Sequence, residues 1–205
     1  KNKDGAVELY DKWAGSYDDT LRSWDYPAPS KVAELLKLHA EASPQQATGD
    51  KLGLAALRSM ELPVADVGCG TGLSGEALHA AGFTNLAGTD VSDASLELCR
   101  TKGIYASLVN CDLECSEGGL PFADNSLAGI TCVGVFSYVH NFDKVFPEFC
   151  RVVAPGGLVV FTHRTQLWDE DTDAVRTSAE AARWVKRFQS EPMPYMPNNP
   201  DPSES

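Results

Sequence analysis

At residues 63–82 the chain reads Pro-Val-Ala-Asp-Val-Gly-Cys-Gly-Thr-Gly-Leu-Ser-Gly-Glu-Ala-Leu-His-Ala-Ala-Gly. A short apolar run carrying one acid meets glycines at every second position, Gly68, Gly70 and Gly72, and a helix-forming stretch follows. From this turn onward, strand and helix signals alternate. Strands are predicted at 63–67, 85–91, 106–110, 126–136 and 158–164. Between and after them, helices are predicted at 73–82, closed by Gly82, and at 93–103, closed by Gly103. Two more are predicted at 141–153, with Pro147 in the first turn or as a kink, and at 171–188, with a Pro-Gly-Gly turn at 155–157. Strands that are apolar throughout and separated by helices imply a parallel sheet covered on both faces.

The rest of the chain frames this core. Residues 7–21 read as an aromatic-rich helix or helix-turn. Residues 29–41 read as a helix that Pro29 can start, with Val32, Leu35, Leu36 and Leu38 near one face. Polar, turn-rich 42–53 is a loop, and 54–62 a short helix. The last sixteen residues hold five prolines, which excludes a helix or a central strand and leaves a packed extended tail or a disordered end. The expected organisation is a helical cap and lid at 1–62, a ligand-binding core at 63–190 and a Pro-rich tail at 191–205. The fold class is α/β: a Rossmann-like, doubly wound, mostly parallel sheet with helices on both faces and an N-terminal helical lid.

Composition excludes several partners. The chain has 205 residues, a length that suits one domain, and is 43% hydrophobic, enough for a real core. Its net charge of −12 argues against nucleic acid and against an anionic membrane surface. No apolar run approaches the roughly 20 residues of a membrane helix. No signal peptide is visible, and a cytoplasmic location is expected. The chain starts without Met, and no final antiparallel hairpin strand is found, which leaves truncation open at both ends. Six cysteines with no Cys-x-x-Cys pair suit a reducing compartment. Four histidines without ligand spacing give no metal site. Oligomeric state is not readable.

The glycine turn admits more than one ligand. Backbone amides at a helix N-terminus cradle anions, and glycine allows close approach. Gly70-Thr-Gly-Leu-Ser-Gly75 formally satisfies a dinucleotide fingerprint, and Asp90 follows where a ribose-binding acid belongs. A P-loop is excluded, because no Gly-Lys-Ser/Thr follows. Asp66, however, stands on the strand itself, ahead of the glycines. A carboxylate beside the ligand disfavours a pyrophosphate and suits an ammonium. S-adenosylmethionine carries an ammonium, a sulfonium, a ribose and an adenine, and no phosphate. Asp112 follows the third strand, and Leu-Pro-Phe with Asp-Asn-Ser leads into the fourth.

Here the chain resembles a family. Asp-Val-Gly-Cys-Gly-Thr-Gly, Gly-Thr-Asp-Val-Ser, Asn-Cys-Asp-Leu, Leu-Pro-Phe-Ala-Asp-Asn-Ser and Arg-Val-Val-Ala-Pro-Gly-Gly-Leu-Val-Val-Phe-Thr are similar, in order and spacing, to the motifs of class I S-adenosylmethionine-dependent methyltransferases. The match spans about residues 63–163, and Leu9–Leu21 resembles a segment that precedes the core in one branch. The resemblance implies that Asp66 and the backbone of Gly68 and Gly70 hold the methionine end. It implies Asp90 on the ribose hydroxyls, Val91 on the adenine, and Asp112 with Leu113 beside the adenine amino group. Val133 and Gly134 would line the methyl-donor side, and Tyr10, Trp13 and Tyr17 would lid the cofactor. The product would be S-adenosylhomocysteine. One departure stands out: the family's aromatic-Asp start to the fourth strand is Leu127-Ala128 here.

Methyl transfer is an in-line displacement in which the protein aligns donor and acceptor and excludes water. An acidic acceptor also needs a base. Loops leaving the strands' C-terminal ends supply Ser137, Tyr138, His140, His163 and Arg164, with His140 the first choice as base. Trp24 and Tyr26 are candidates for an acceptor wall. A small-molecule acceptor leads and a protein acceptor follows. A non-catalytic cofactor-binding protein and a nicotinamide-dependent oxidoreductase are the remaining readings.

Overall fold

Five strands form one all-parallel sheet in the order β3-β2-β1-β4-β5. They are β1 (Val64–Val67), β2 (Leu86–Asp90), β3 (Tyr105–Asn110), β4 (Leu127–Cys132) and β5 (Val153–Phe161). The helices are α1 (Ala28–Glu41), α2 (Leu73–Ala80), α3 (Asp93–Lys102), α4 (Phe142–Val152) and α5 (Thr165–Ala181). A further helical segment occupies 17–23. The computed structural model describes residues 17–41, 61–114 and 118–201. Tyr10, Trp13, Cys115 and the short helix expected at 54–62 lie outside the described residues, apart from 61 and 62.

The central strands β1 and β4 are buried along their whole length, as the apolar runs require. Edge strand β3 is half exposed, and β5 is buried only at its start. Alternate residues feed two cores. Val64, Leu86, Ala128, Leu158 and Val160 pack under α1 and α2, with Ala33, Leu36, Ala40 and Leu78. Ala65, Val67, Val159 and Phe161 face α4 and α5, with Phe142, Val145, Phe146, Phe149 and Val175. Leu96 and Cys99 of α3 form a smaller cluster with Cys69, Tyr105 and Leu108.

Several boundaries differ from the sequence expectation, each for a local reason. β4 stops at Cys132, because Gly134 takes a left-handed turn and Phe136–Tyr138 coil into a 3-10 helix. The Pro-Gly-Gly turn lies inside β5, where the register against β4 slips between Leu127 and Gly129. Pro147 sits in the middle of α4, which continues through it. Helix α5 starts at Thr165 and stops at Ala181. Its stop is a Schellman closure with Arg183 at φ 66°: Arg183 N–H donates to Glu180 O and Trp184 N–H to Ala179 O. Leu38 is 57% exposed, on the far side of α1 from buried Leu36. The tail is extended yet packed: Met196 is buried, and Asn198 N–H donates to Trp24 O at 3.1 Å.

Candidate functional site

The chain runs outward from β1 to β3, then crosses back to β4 and β5. Sheets of this order bind ligands where the direction reverses, outside the C-terminal strand ends. Here that point lies between β1 and β4, and a part-open cleft sits over it.

Gly68, Gly70 and Gly72 all take left-handed conformations, with φ of 71°, 52° and 96°. At Gly68 a Cβ would stand 2.3 Å from Val135 Cγ2, so the turns after β1 and β4 touch through the missing side chain. The turn's amides point inward. Gly68 and Cys69 N–H donate to Thr89 O at 2.7 and 2.9 Å, and Gly70 N–H donates to Asp90 Oδ2 at 2.8 Å. Those donors are therefore engaged within the protein, so a pyrophosphate would have to compete for them. The expected pairing of an ammonium with Asp66 also needs correction. Asp66 is fully buried, does not line the cleft, and accepts from Ser74 Oγ (2.6 Å), Tyr105 Oη (2.7 Å) and Thr131 Oγ1 (3.3 Å). Burial pushes its carboxyl up despite these three donors. Asp66 instead fixes Ser74, which does line the cleft. Gly75 makes this possible, since a Cβ there would fall 2.0 Å from Tyr105 Oη.

Asp90, at the end of β2, lines the cleft. Its oxygens accept from Gly70 and Ser92 N–H, each at 2.8–2.9 Å. Ser92 Oγ caps α3, leaving Asp90 free of that duty. Val91, Asp112, Leu113, Gly68, Gly70, Val133, Gly134 and Tyr17 also line the cleft.

His140 does not. Its backbone N–H and that of Asn141 donate to Glu114 Oε1 at 2.8 and 2.7 Å, and its ring is 51% exposed. Asn141 caps α4 by accepting from Lys144 N–H, and Glu114, from the loop after β3, holds the two residues before the helix, with His140 Nδ1 3.7 Å from Glu114 Oε2. The missing family acid is equally remote: Ala128 lies near the N-terminal end of β4, buried under α1.

Residues that sequence reasoning left unassigned complete the walls. Leu21 and Pro29 come from the N-terminal region, Glu114 from the loop after β3, and Tyr195 from the tail. The segment 17–23 is clamped over the glycine turn by ions: Lys102 Nζ reaches Asp18 at 2.6 Å and Glu76 at 2.8 Å, and Arg22 reaches Glu76 at 2.6 Å. Thr71 Oγ1 also donates to Asp18. Burial opposes ionisation of Glu76, but the bonds from Lys102 and Arg22 outweigh it and hold its carboxyl below the usual range. Cys69 is pushed up by its contact with Cys99 and by burial, and Cys132 by burial, so neither is a thiolate nucleophile. Among the described residues no group of three His, Cys, Asp or Glu could hold a metal, and no helix is long and apolar enough to cross a membrane.

Residues 65–161 match the family model described as a methyltransferase domain. Methyltransferase-like protein 27 of Homo sapiens is 31% identical over 78% of this chain and 58% of its own length. An O-methyltransferase of Aspergillus nomiae is 28% identical over 91% of this chain and 80% of its own. The chain thus spans little more than half of the human relative. In fold, a methyltransferase of Haloferax volcanii, solved with the Trm112 methyltransferase activator, superposes with a TM-score of 0.56 at 19% identity, over 84% of this chain and 75% of its own. Over residues 65–161 the chain thus carries a methyltransferase domain of the class I, S-adenosylmethionine-dependent kind.

Proposed function

We propose that this protein transfers the methyl group of S-adenosylmethionine to a small-molecule acceptor by in-line displacement. One observation carries the reading: the cleft over β1, β2 and β4 has the Asp90 carboxylate at its wall and the glycine-turn amides turned inward. That arrangement suits a ligand with hydroxyls and an ammonium better than one with a pyrophosphate. The cofactor, when bound, supplies an electrophilic methyl on a sulfonium and a neutral thioether leaving group.

The chain's own residues then have these roles. Asp90 accepts from both ribose hydroxyls. Val91 and Leu113 flank the adenine, and Asp112 accepts from its amino group. The carbonyl side of the Gly68–Gly70 turn, with Ser74 beneath, receives the amino-acid end. Val133 and Gly134 border the methyl. Tyr17 and Leu21 cover the cofactor, and Tyr195 of the tail adds a wall. The residues present align donor and acceptor and exclude water.

A protein acceptor is the reading this proposal competes with. Incubation with labelled S-adenosylmethionine and two panels, small apolar metabolites and basic peptides, separates them. Label on a small molecule supports the proposal. Label only on peptides transfers the activity to a protein acceptor. Label on neither, with the cofactor bound, makes the chain a binding protein.

A further inference from the structure

The cleft is chemically divided. Its three carboxylates, Asp90, Asp112 and Glu114, all lie beyond the ends of β2 and β3. Each already accepts backbone N–H groups: Gly70 and Ser92 for Asp90, Glu114 for Asp112, and His140 and Asn141 for Glu114. The other half, beyond β4 and towards β5, is lined among the described residues by Val135, Tyr138, Val139, Tyr26, Pro29 and Tyr195, none of them charged.

Three of these are tyrosines from distant parts of the chain. Tyr26 precedes α1, Tyr138 ends the 3-10 helix after β4, and Tyr195 belongs to the tail. Tyr26 and Tyr195 meet edge to face, with centroids 5.3 Å apart at 80°. The Arg164 guanidinium lies over Tyr195 at 5.3 Å and over Tyr138 at 5.8 Å, within cation–π range. Arg164 does not itself line the cleft. Its backbone N–H donates to Ser137 Oγ at 2.9 Å, and Thr162 Oγ1 accepts from Gly134 N–H at 2.8 Å. The exit of β5 thereby holds both the tyrosines and the loop after β4.

Resting on the methyltransferase reading, we propose that Tyr26, Tyr138 and Tyr195 form the acceptor subsite, with Arg164 as their positioning residue, and that it takes a flat, uncharged, apolar ring compound. A charged acceptor entering this half would lose water without gaining a counter-charge from the wall, whereas an aromatic ring gains stacked or edge contacts with three phenols. The phenol hydroxyls can orient one neutral polar substituent.

The test uses the full chain saturated with S-adenosylhomocysteine, with occupancy checked by titration. Three probes of one size are compared by calorimetry: 2-naphthol, 2-naphthoate and 2-naphthylmethylammonium. The neutral probe should bind at least tenfold tighter than either ion. Tyr195→Ala should weaken it about tenfold, Tyr195→Phe should restore it, and Arg164→Met should weaken it several-fold. Circular dichroism confirms that each variant is folded. Equal or tighter binding of either ion overturns the proposal, and so does no binding of any probe. An anion preference abolished by Arg164→Met would make Arg164 a ligand contact and overturn it equally. Failure of the wild type to bind S-adenosylhomocysteine at all is a different result, since it removes the cofactor reading on which the proposal rests.

Discussion

The two halves of the sheet present opposite chemistry at the same edge. Beyond β1–β3 the cleft wall is glycine backbone and carboxylates, each fixed by N–H donors and locked by a short loop. Beyond β4 and β5 it is aliphatic and aromatic, held by packing and by one guanidinium. The first half has its geometry written into the short turns that leave β1, β2 and β3. The second is assembled from three separate stretches, around Tyr26, Tyr138 and Tyr195. A cofactor common to a whole family suits the first, and a substrate particular to one protein suits the second.

Substitutions that strike one half should leave a distinct signature. The largest effect on stability belongs to the aromatic half. Phe136 is fully buried and stacks on Phe161 with centroids 4.1 Å apart. Phe136→Ala should cost about 3–5 kcal/mol by chemical denaturation, through the lost transfer energy and the cavity left behind. In the polar half, Asp90→Ala should leave the fold in place and weaken S-adenosylhomocysteine binding about a hundredfold, the scale of two hydrogen bonds to a charged acceptor. Retained affinity in a titration would remove Asp90 from the site.

Next comes the buried support under the glycine turn. Gly75→Ala would drive Tyr105 Oη off Asp66, leaving a buried carboxyl short of one donor. A loss of about 1–3 kcal/mol in melting experiments is expected, and Tyr105→Phe in the same background should recover little of it.

A smaller effect tests the lid clamp. The folded-state pKa of Glu76 is depressed, so its contribution to stability is present above the unfolded carboxylate pKa and is lost as pH falls through the folded value. Glu76→Gln should therefore lower stability at neutral pH, by about 0.5–1 kcal/mol for a part-exposed network. The difference from wild type should vanish in acid, and a gap that persists there would contradict the clamp. His140→Ala should be the mildest change, within about 0.5 kcal/mol in stability and without effect on cofactor binding, since its ring is half exposed and does not line the cleft.

The contrast between the halves also explains what the sequence could show. Asp90, Val91, Asp112, Leu113, Val133 and Gly134 came through the family resemblance, whose motifs lie at or just after strand ends marked by apolar runs and glycines. Tyr195 was not, because a Pro-rich tail carries no periodicity that points to its target. Helix α5 was overrun because its stop is Arg183 in a left-handed conformation, where a glycine would have signalled the end. Asp66 was misplaced because spacing gives the strand but not the face: it points under the sheet towards Ser74 and Tyr105. His140 was misplaced for a related reason. Glu114, from another loop, captures the start of α4, and only the tertiary structure brings the two together.

The central claim is that the polar half was built for a nucleoside with an amino-acid end and no phosphate. The most direct measurement is calorimetric titration of the full chain with S-adenosylhomocysteine and, in parallel, with NADH. Micromolar binding of the first with none of the second is the result this account expects. Binding of NADH alone, or of neither ligand, would contradict it.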